Sequence, residues 1–441
     1  MKLSAKILAC GALCLLAAAH QATAVAQTAG ASKKRIPADP AEAELNNLLA
    51  TAQAAMDKKD YPAAAQNYQQ YLAKKPDNAV AHFELGFADM SMQRLADAKA
   101  EYEKAISLDP SMGPAYLNLG LTLVDTDPAA AVPNLQKAIE LIPNQPGPKF
   151  LLGMALEHTD KLAAAVEQYQ AAEVLDGTDF NIRFALGRAL LASGRAGEAE
   201  PEFRAALTLQ HDSAPARLGL ARSLLAQKQL DAAAAQFSSY LEVQPNDYRV
   251  RVERASVLAD LGRDEDTLAE LDKAAAIAPE DLRALKLRSG IYFEKKRYDD
   301  ALPVLQKAAT LAPQDPDIPG RLGLVFLEKK DYPNAVRFFI AAFKMNPDAN
   351  DILGNLITAQ YLNKNYPAAI DGLDILSKRE TLPPGSWFMR ADCYDKLEQP
   401  ANALDSYKRF LDLNKDQNSD MYFAAAARVR TLTRELQDKK R

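Results

Sequence analysis

The sequence predicts an all-α protein built from repeated helix–turn–helix units. Three observations support this fold class: a period of 34 residues along most of the chain, two amphipathic helical patterns within each period, and prolines that mark the period ends. Proline cannot continue the helix that precedes it, so each of these positions separates one unit from the next. Such periodicity is typical of solenoids, in which each unit packs on its neighbours.

The period is visible in a repeated phrase. The triplet Asp-Tyr-Pro begins at Asp60 and again at Asp331, 271 residues later, which is one residue fewer than eight periods of 34. Prolines with this spacing follow the helical patterns at Pro76, Pro110, Pro143, Pro245, Pro279, Pro313 and Pro347. The interval between Pro110 and Pro143 is 33 residues, so the missing residue lies in the third unit, near the turn "DTDPAA".

Each unit alternates small and large side chains at fixed positions. The first helix carries a small residue, except at Ile357: Ala52, Gly86, Gly120, Gly153, Gly187, Ala221, Ala255, Ser289, Gly323 and Ala391. The second helix carries Ala64, Ala98, Ala131, Ala165, Ala199, Ala233, Thr267, Ala301, Ala335, Ala369 and Ala403. Four residues later stand Tyr68, Tyr102, Leu135, Tyr169, Phe203, Phe237, Leu271, Leu305, Phe339, Leu373 and Tyr407. Helices approach closely where one contact is small, and the large side chain one turn away fills the adjacent gap.

This pattern resembles the tetratricopeptide repeat family. The second unit, "AHFELGFADMSMQRLADAKAEYEKAISLDP", matches the family's offsets at Leu85, Gly86, Ala98, Tyr102, Ala105 and Pro110. The resemblance covers about eleven units, residues 45–417, and implies a right-handed superhelical solenoid. Residues 418–441 are predicted to form a C-terminal capping helix, because a solenoid otherwise exposes an apolar face at its open end.

The N-terminus has the pattern of an export signal. A short basic start precedes the apolar run Ile7–Ala19, and Ala24-Val25-Ala26 offers the small-x-small pattern of a cleavage site. We therefore expect a signal peptide at 1–26, a flexible tether at 27–44, and a periplasmic or secreted protein without an integral membrane segment once the signal is removed. A lipoprotein signal with Cys10 as the lipidated residue is the alternative, but it leaves almost no apolar region before the cysteine.

Composition and motifs argue against catalysis and against nucleic-acid binding. The net charge is −5, and −7 once Lys2 and Lys6 are removed, so the basic footprint of a phosphate binder is missing. The sequence contains no phosphate-binding loop, nucleophile elbow or metal-ligand spacing, and we expect no catalytic residue, no metal and no cofactor. Cys393 is the only cysteine beyond the signal, so no internal disulfide is expected.

The resemblance also implies a binding surface. In this family the first helices of successive units line a concave groove that holds protein or peptide segments. By position, this groove should contain Phe83, Phe87, Met90, Leu117, Leu121, Phe150, Met154, Phe184, Arg188 and Arg222, and later units should present a more charged surface. Met and Phe suit adaptable contact with a partner. The same side chains would also serve to pack one unit on the next, and the sequence leaves both roles open.

The sequence therefore predicts a non-enzymatic scaffold that binds proteins or peptides, of unknown oligomeric state. By resemblance, we expect it in a bacterial envelope or secretion assembly. The alternative is an accessory protein that handles carbohydrate or polymer in cell-wall or exopolysaccharide export. Its only hint is Trp387 near Asp392 and Asp395, since a glycan site needs paired carboxylates beside an aromatic platform.

Overall fold

The computed structural model describes residues 40–416 and 418–438. Within these ranges the chain forms 23 α-helices and no strand, which confirms the all-α repeat architecture. The expected signal peptide 1–26, Cys10 and the first part of the tether lie outside the described residues. Helix α1 begins at Pro40 rather than at residue 45, so 40–44, which the sequence analysis placed in the tether, belong to the first helix.

The helices form two compact units that divide after Val243. In the first unit, six hairpins are formed by α1 (Pro40–Asp57) and α2 (Tyr61–Lys74), α3 (Ala79–Ser91) and α4 (Leu95–Leu108), α5 (Gly113–Leu123) and α6 (Pro128–Leu141), α7 (Pro146–His158) and α8 (Leu162–Leu175), α9 (Phe180–Ala192) and α10 (Ala196–Leu209), α11 (Ala214–Ala226) and α12 (Leu230–Val243). Within this unit each hairpin packs on the next one along the chain.

The second unit contains five hairpins and one further helix. They are α13 (Tyr248–Asp260) and α14 (Asp264–Ile277), α15 (Leu282–Glu294) and α16 (Tyr298–Leu311), α17 (Asp317–Glu328) and α18 (Tyr332–Met345), α19 (Asn350–Leu362) and α20 (Tyr366–Ser377), α21 (Pro384–Lys396) and α22 (Pro400–Leu413), then α23 (Asp420–Asp438). Helix α23 packs on α22 and lies within the range predicted for a capping helix.

The repeated Asp-Tyr-Pro triplet starts the second helix of a hairpin. The Asp60 carboxylate accepts a hydrogen bond from the Ala63 amide, and Asp331 accepts one from the Asn334 amide in the same way. These contacts satisfy an amide that has no partner within the helix. The proline falls in the first turn, where its missing N–H costs no hydrogen bond.

The turn inside each hairpin explains the lost residue. Ten hairpins contain one residue with φ between 54° and 75°: Lys59, Gln93, Asp160, Gly194, Lys228, Gly262, Lys296, Lys330, Lys364 and Glu398. The following amide then bonds back to the carbonyl five residues earlier, as Asp60 does to Ala55. The third hairpin has no positive-φ residue in its turn, and the Asp127 amide bonds to the Leu123 carbonyl four residues earlier. The deletion has therefore removed the left-handed residue.

The small first-helix residues lie directly against the large second-helix side chains. A Cβ added at Gly153 would stand 2.5 Å from the Tyr169 ring, and one at Gly120 would stand 2.4 Å from Leu135. Equivalent approaches under 3.0 Å occur for Gly86 and Gly323. Contacts under 3.0 Å leave no room for a methyl group, so glycine is required there by the interhelical distance.

The exception at Ile357 has a local compensation. Ile357 is buried at the position where other hairpins carry a small residue, but Gly372 lies opposite on α20. A Cβ at Gly372 would stand 2.6 Å from Ile357 Cγ1. In the tenth hairpin the second helix therefore supplies the small residue and the first helix the large one, and the two helices still pack closely.

Gly153→Ala should destabilise the protein by about 1–3 kcal/mol, because the added methyl overlaps the fully buried Tyr169 ring. Chemical denaturation followed by circular dichroism measures this. The matched control is Gly354→Ala, also inside a first helix, where an added Cβ meets no atom within 4 Å. This control should be neutral or stabilising by about 1 kcal/mol, because alanine is the better helix former. Equal destabilisation by both substitutions would contradict the proposed contact.

Candidate protein-binding face

The predicted groove residues all lie on first helices of the first unit. Three of the phenylalanines contact a ring of the second helix in their own hairpin. The Phe83 ring lies 5.9 Å from that of Tyr102, Phe150 lies 5.8 Å from Tyr169, and Phe184 lies 6.1 Å from Phe203. In each pair the second-helix ring is fully buried. Packing within the hairpin therefore fixes one side of each first-helix ring.

Five of the predicted side chains keep part of their surface accessible. Phe83, Phe87, Phe150, Met154 and Phe184 are half-buried. We call these five side chains the aromatic face. They come from α3, α7 and α9, and the two that are farthest apart in sequence, Phe83 and Phe184, are separated by 101 positions. Both roles that the sequence left open are thus combined, since each phenylalanine of the pairs packs internally and remains partly exposed.

Three other predicted residues are buried inside the hairpins. Met90, Leu117 and Leu121 are 4%, 1% and 7% exposed, so their side chains are not available to a partner. The Met90 sulfur accepts contacts from the hydroxyls of Tyr102 and Thr122, both at 3.9 Å. These three residues belong to the core of neighbouring hairpins and are not part of the aromatic face.

The two predicted arginines are exposed. Arg188 Nη2 donates to Glu157 Oε2 at 2.8 Å, and the same carboxylate oxygen accepts from the Tyr169 hydroxyl at 3.0 Å. Burial raises the pKa of Tyr169, and the Glu157 charge adds to this, so its hydroxyl stays a donor. Arg188 therefore links α9 to α7 beside the aromatic face. Arg222 lies on α11 with its side chain exposed.

A repeated basic residue, which the sequence analysis missed, connects the first helix of five hairpins to the loop that precedes it. At one position of the first helix, a basic side chain donates to the carbonyl six residues earlier, at distances of 2.6–3.0 Å. The pairs are His82 with Pro76, Lys149 with Pro143, Arg183 with Gly177, Arg217 with His211, and Arg251 with Pro245. Four of these residues are spaced by 34, and that regular spacing is the signal that would have revealed them.

Arginine also replaces leucine in the hairpin core of the second unit. At the position of Leu85 and its equivalents stand Arg254, Arg288 and Arg390. Each is held by a second-helix carboxylate: Arg254 by Glu270 at 2.9 Å, Arg288 by Asp272 at 2.8 Å, and Arg390 by Asp374. Glu270 is buried whereas Asp272 is 69% exposed and Asp374 44% exposed, so substitution of one member alone is most costly in the Arg254–Glu270 pair.

Glu270 is the most heavily compensated of these carboxylates. Its side chain is 4% exposed and contacts Arg251, Arg254 and Lys273 at 2.8–3.1 Å. Burial tends to raise the pKa of Glu270, but the hydrogen bond from Lys273 and the charges of the two arginines outweigh burial and lower it. The carboxylate is therefore ionised at neutral pH and links α13 to α14.

The groups behind the carbohydrate alternative are engaged in structural contacts. The Asp392 carboxylate accepts a hydrogen bond from the Tyr361 hydroxyl at 2.9 Å, and Asp395 accepts two from Arg428, at 2.6 and 2.7 Å. The Arg409 guanidinium lies 4.9 Å from the centre of the Trp387 ring. These contacts fasten α21 to its neighbours and occupy the groups that a glycan site would need.

The described residues contain no group of three His, Cys, Asp or Glu side chains placed to hold a metal ion. None of their helices combines the length and apolar character that crossing a membrane requires.

Comparison with protein families gives a consistent match. Three models described as tetratricopeptide repeat match residues 55–120 and 190–252, residues 252–316 and 321–376, and residues 384–417. Together these ranges cover more than half of the chain. No curated protein sequence matches this chain.

Solved structures resemble the chain at low identity. MamA (residue 41 to the end) from Desulfovibrio magneticus RS-1 is 18% identical, with 38% of this chain and 97% of that chain covered and a TM-score of 0.37. Yeast Tom70 is 14% identical, with 90% and 97% covered and a TM-score of 0.36. The Cut9–Hcn1 hetero-tetramer of the APC/C is 15% identical, with 88% and 96% covered and a TM-score of 0.36.

Glu270→Gln should destabilise the protein by about 3 kcal/mol at neutral pH, because three cations would lose their buried counter-charge. The lowered pKa of Glu270 means that its stabilisation is complete above the ordinary value of 4.5 and is lost as pH falls through the folded-state pKa. Denaturation measured at pH 7 and at decreasing acid pH should therefore show the two proteins converging in stability. A constant difference down to low pH would contradict this ionic role. Exposed Glu198→Gln is the control.

Proposed function

Because the chain belongs to the tetratricopeptide repeat family, whose repeats serve as protein-interaction scaffolds, we propose that it binds a protein or peptide segment on the aromatic face without catalysing a reaction. We propose further that it works after export, in a bacterial envelope or secretion assembly.

The half-buried state of the aromatic face carries this proposal. Phe83, Phe150 and Phe184 each rest on a buried ring, so their rings are already oriented before a partner arrives. Little side-chain freedom is then lost on binding, which favours affinity. The accessible part of each ring offers apolar surface to the partner. Interfaces are commonly dominated by a few such anchored aromatic side chains.

The composition of the face indicates what kind of segment it would bind. Met154 is unbranched and polarizable, so it adapts to irregular apolar surfaces. Arg188, already hydrogen-bonded to Glu157, adds a charged border beside the aromatic face. An amphipathic helix or an extended segment with spaced apolar side chains would complement this arrangement.

Export is supported by the N-terminal pattern, and the single remaining cysteine is compatible with it. Cys393 is fully buried, and burial, aided by the charge of Asp392, raises the pKa of its thiol to about 12. Since the thiolate is the reactive form, this cysteine resists disulfide exchange in an oxidising compartment. Mass spectrometry of the protein from the native host tests the expected cleavage after Ala26. A chain that retains residues 1–26, or one lipidated at Cys10, would contradict this part of the proposal.

Site-specific photo-crosslinking tests the aromatic face directly. A benzoylphenylalanine placed at Phe87 or Met154 should form adducts with defined proteins in native envelope preparations. Val174, 86% exposed on α8, is the control position and should give none of these adducts. Equal adducts from all three positions would place the binding elsewhere. Glycan adducts without protein would favour the carbohydrate alternative.

A second variant separates binding from packing. Substitution of Phe83, Phe87 and Phe150 by Ala should reduce capture of the crosslinked partner by about tenfold or more. Phe388→Ala is the matched control, because Phe388 is also half-buried and makes the same contact with a second-helix ring, Tyr407, at 5.7 Å. The control should keep full capture. Loss of capture by the control as well would show that the effect comes from weakened folding.

A further inference from the structure

The second unit contains a cavity that lies outside the aromatic face and the ion pairs described above. Its volume is about 300 Å³, and it opens between α15, α16 and α17. The lining side chains are mostly apolar, with charge only at Glu294 and Arg321. They are Ser289, Gly290, Phe293, Glu294, Leu305, Arg321, Leu324 and Val325.

Gly290 creates much of this space. At the same position of earlier hairpins stand the large side chains Phe87, Leu121 and Met154. A Cβ added at Gly290 would meet only Arg321 Nη1, at an ordinary contact distance of 3.4 Å. Packing therefore does not require glycine here, in contrast to Gly153. Glycine inside a helix is less favourable than alanine, so its presence leaves space at a cost in stability.

Two charged side chains without ionic partners stand beside the cavity. Among the described residues, neither the Arg321 guanidinium nor the Glu294 carboxylate forms a hydrogen bond or an ion pair, and both residues are exposed. Asp315, the carboxylate on which Arg321 acts electrostatically, is instead bound by Lys286 at 2.7 Å. An arginine in this state is ready to bind a carboxylate, since its guanidinium donates two parallel hydrogen bonds.

We propose that this cavity binds one large apolar side chain of a protein segment, flanked on one side by an acidic residue that pairs with Arg321 and on the other by a basic residue that pairs with Glu294. The volume is at the lower end of small-molecule pockets and suits a single anchoring side chain. The opposite charges of Arg321 and Glu294 make a segment with both charges complementary. The inference rests on the proposed function only in that the partner is a protein.

Fluorescence anisotropy of the full mature chain with labelled 12-residue peptides tests this site. The peptides have Gly/Ser flanks around a central Glu-Leu-Lys, Glu-Ala-Lys or Gln-Leu-Gln. The Glu-Leu-Lys peptide should bind, and replacing its leucine by alanine should weaken binding about tenfold. Gly290→Leu, which fills the cavity, should cause a similar loss, and Gly290→Ala a smaller one. Gly354→Leu is the control and should bind normally, because an added Cβ there meets open space.

Charge reversal supplies an independent readout. Arg321→Glu should weaken binding of the Glu-Leu-Lys peptide about threefold, the size expected for an exposed ion pair. A Lys-Leu-Lys peptide should then bind the Arg321→Glu variant better than it binds the unmodified protein. No binding of Glu-Leu-Lys, or binding that is indifferent to both Gly290→Leu and the peptide's leucine, would overturn the site. If the aromatic face still crosslinks its partner, only this inference fails and the proposed function stands.

Discussion

The contact on which the structure depends is a glycine or alanine of one helix against a large side chain of its neighbour. Phe203 on α10 shows it most fully, because Gly187 of its own hairpin and Gly219 of the next one both face its ring. An added Cβ would stand 3.1 Å from the ring at Gly187 and 2.3 Å at Gly219. One side chain therefore sets the distance within a hairpin and the distance to the next. Because the contact is local, stability is expected to be distributed hairpin by hairpin.

This constraint also produces the aromatic face. A ring such as Phe203 fills the hairpin interior completely, so the next aromatic side chain on the first helix, Phe184, contacts it only edge-on and keeps part of its own ring exposed. The aromatic face is thus a consequence of core packing and is rigid for the same reason. In the hairpin of α15 and α16, the equivalent positions hold Lys286 and Gly290, so the surface of this hairpin is open and charged where that of the earlier ones is filled and apolar.

The period and the one-residue gap in it could be predicted from the sequence, but the contacts between particular side chains could not. The period placed the missing residue in the third turn, and the structure shows that the left-handed residue is absent there. The burial of Met90 and Leu117 was not predicted, because the place of a residue on its own helix does not show which side chains of the next hairpin cover it. Arg254 is visible in the sequence, but its pairing with Glu270 is apparent only in the structure. The cavity at Gly290 likewise depends on α17, which is distant in sequence.

Hydrogen exchange of a Gly187→Leu variant tests the local nature of the packing most directly. A leucine there cannot fit against Phe203, so protection should fall in α9 and α10 and, less strongly, in the adjacent α8 and α11. Helices α1–α4 should keep the protection that they have in the unmodified protein. Peptide-resolved mass spectrometry distinguishes these segments. A uniform loss of protection from α1 to α12 would contradict the account, because it would show that the first unit unfolds as one cooperative body and not hairpin by hairpin.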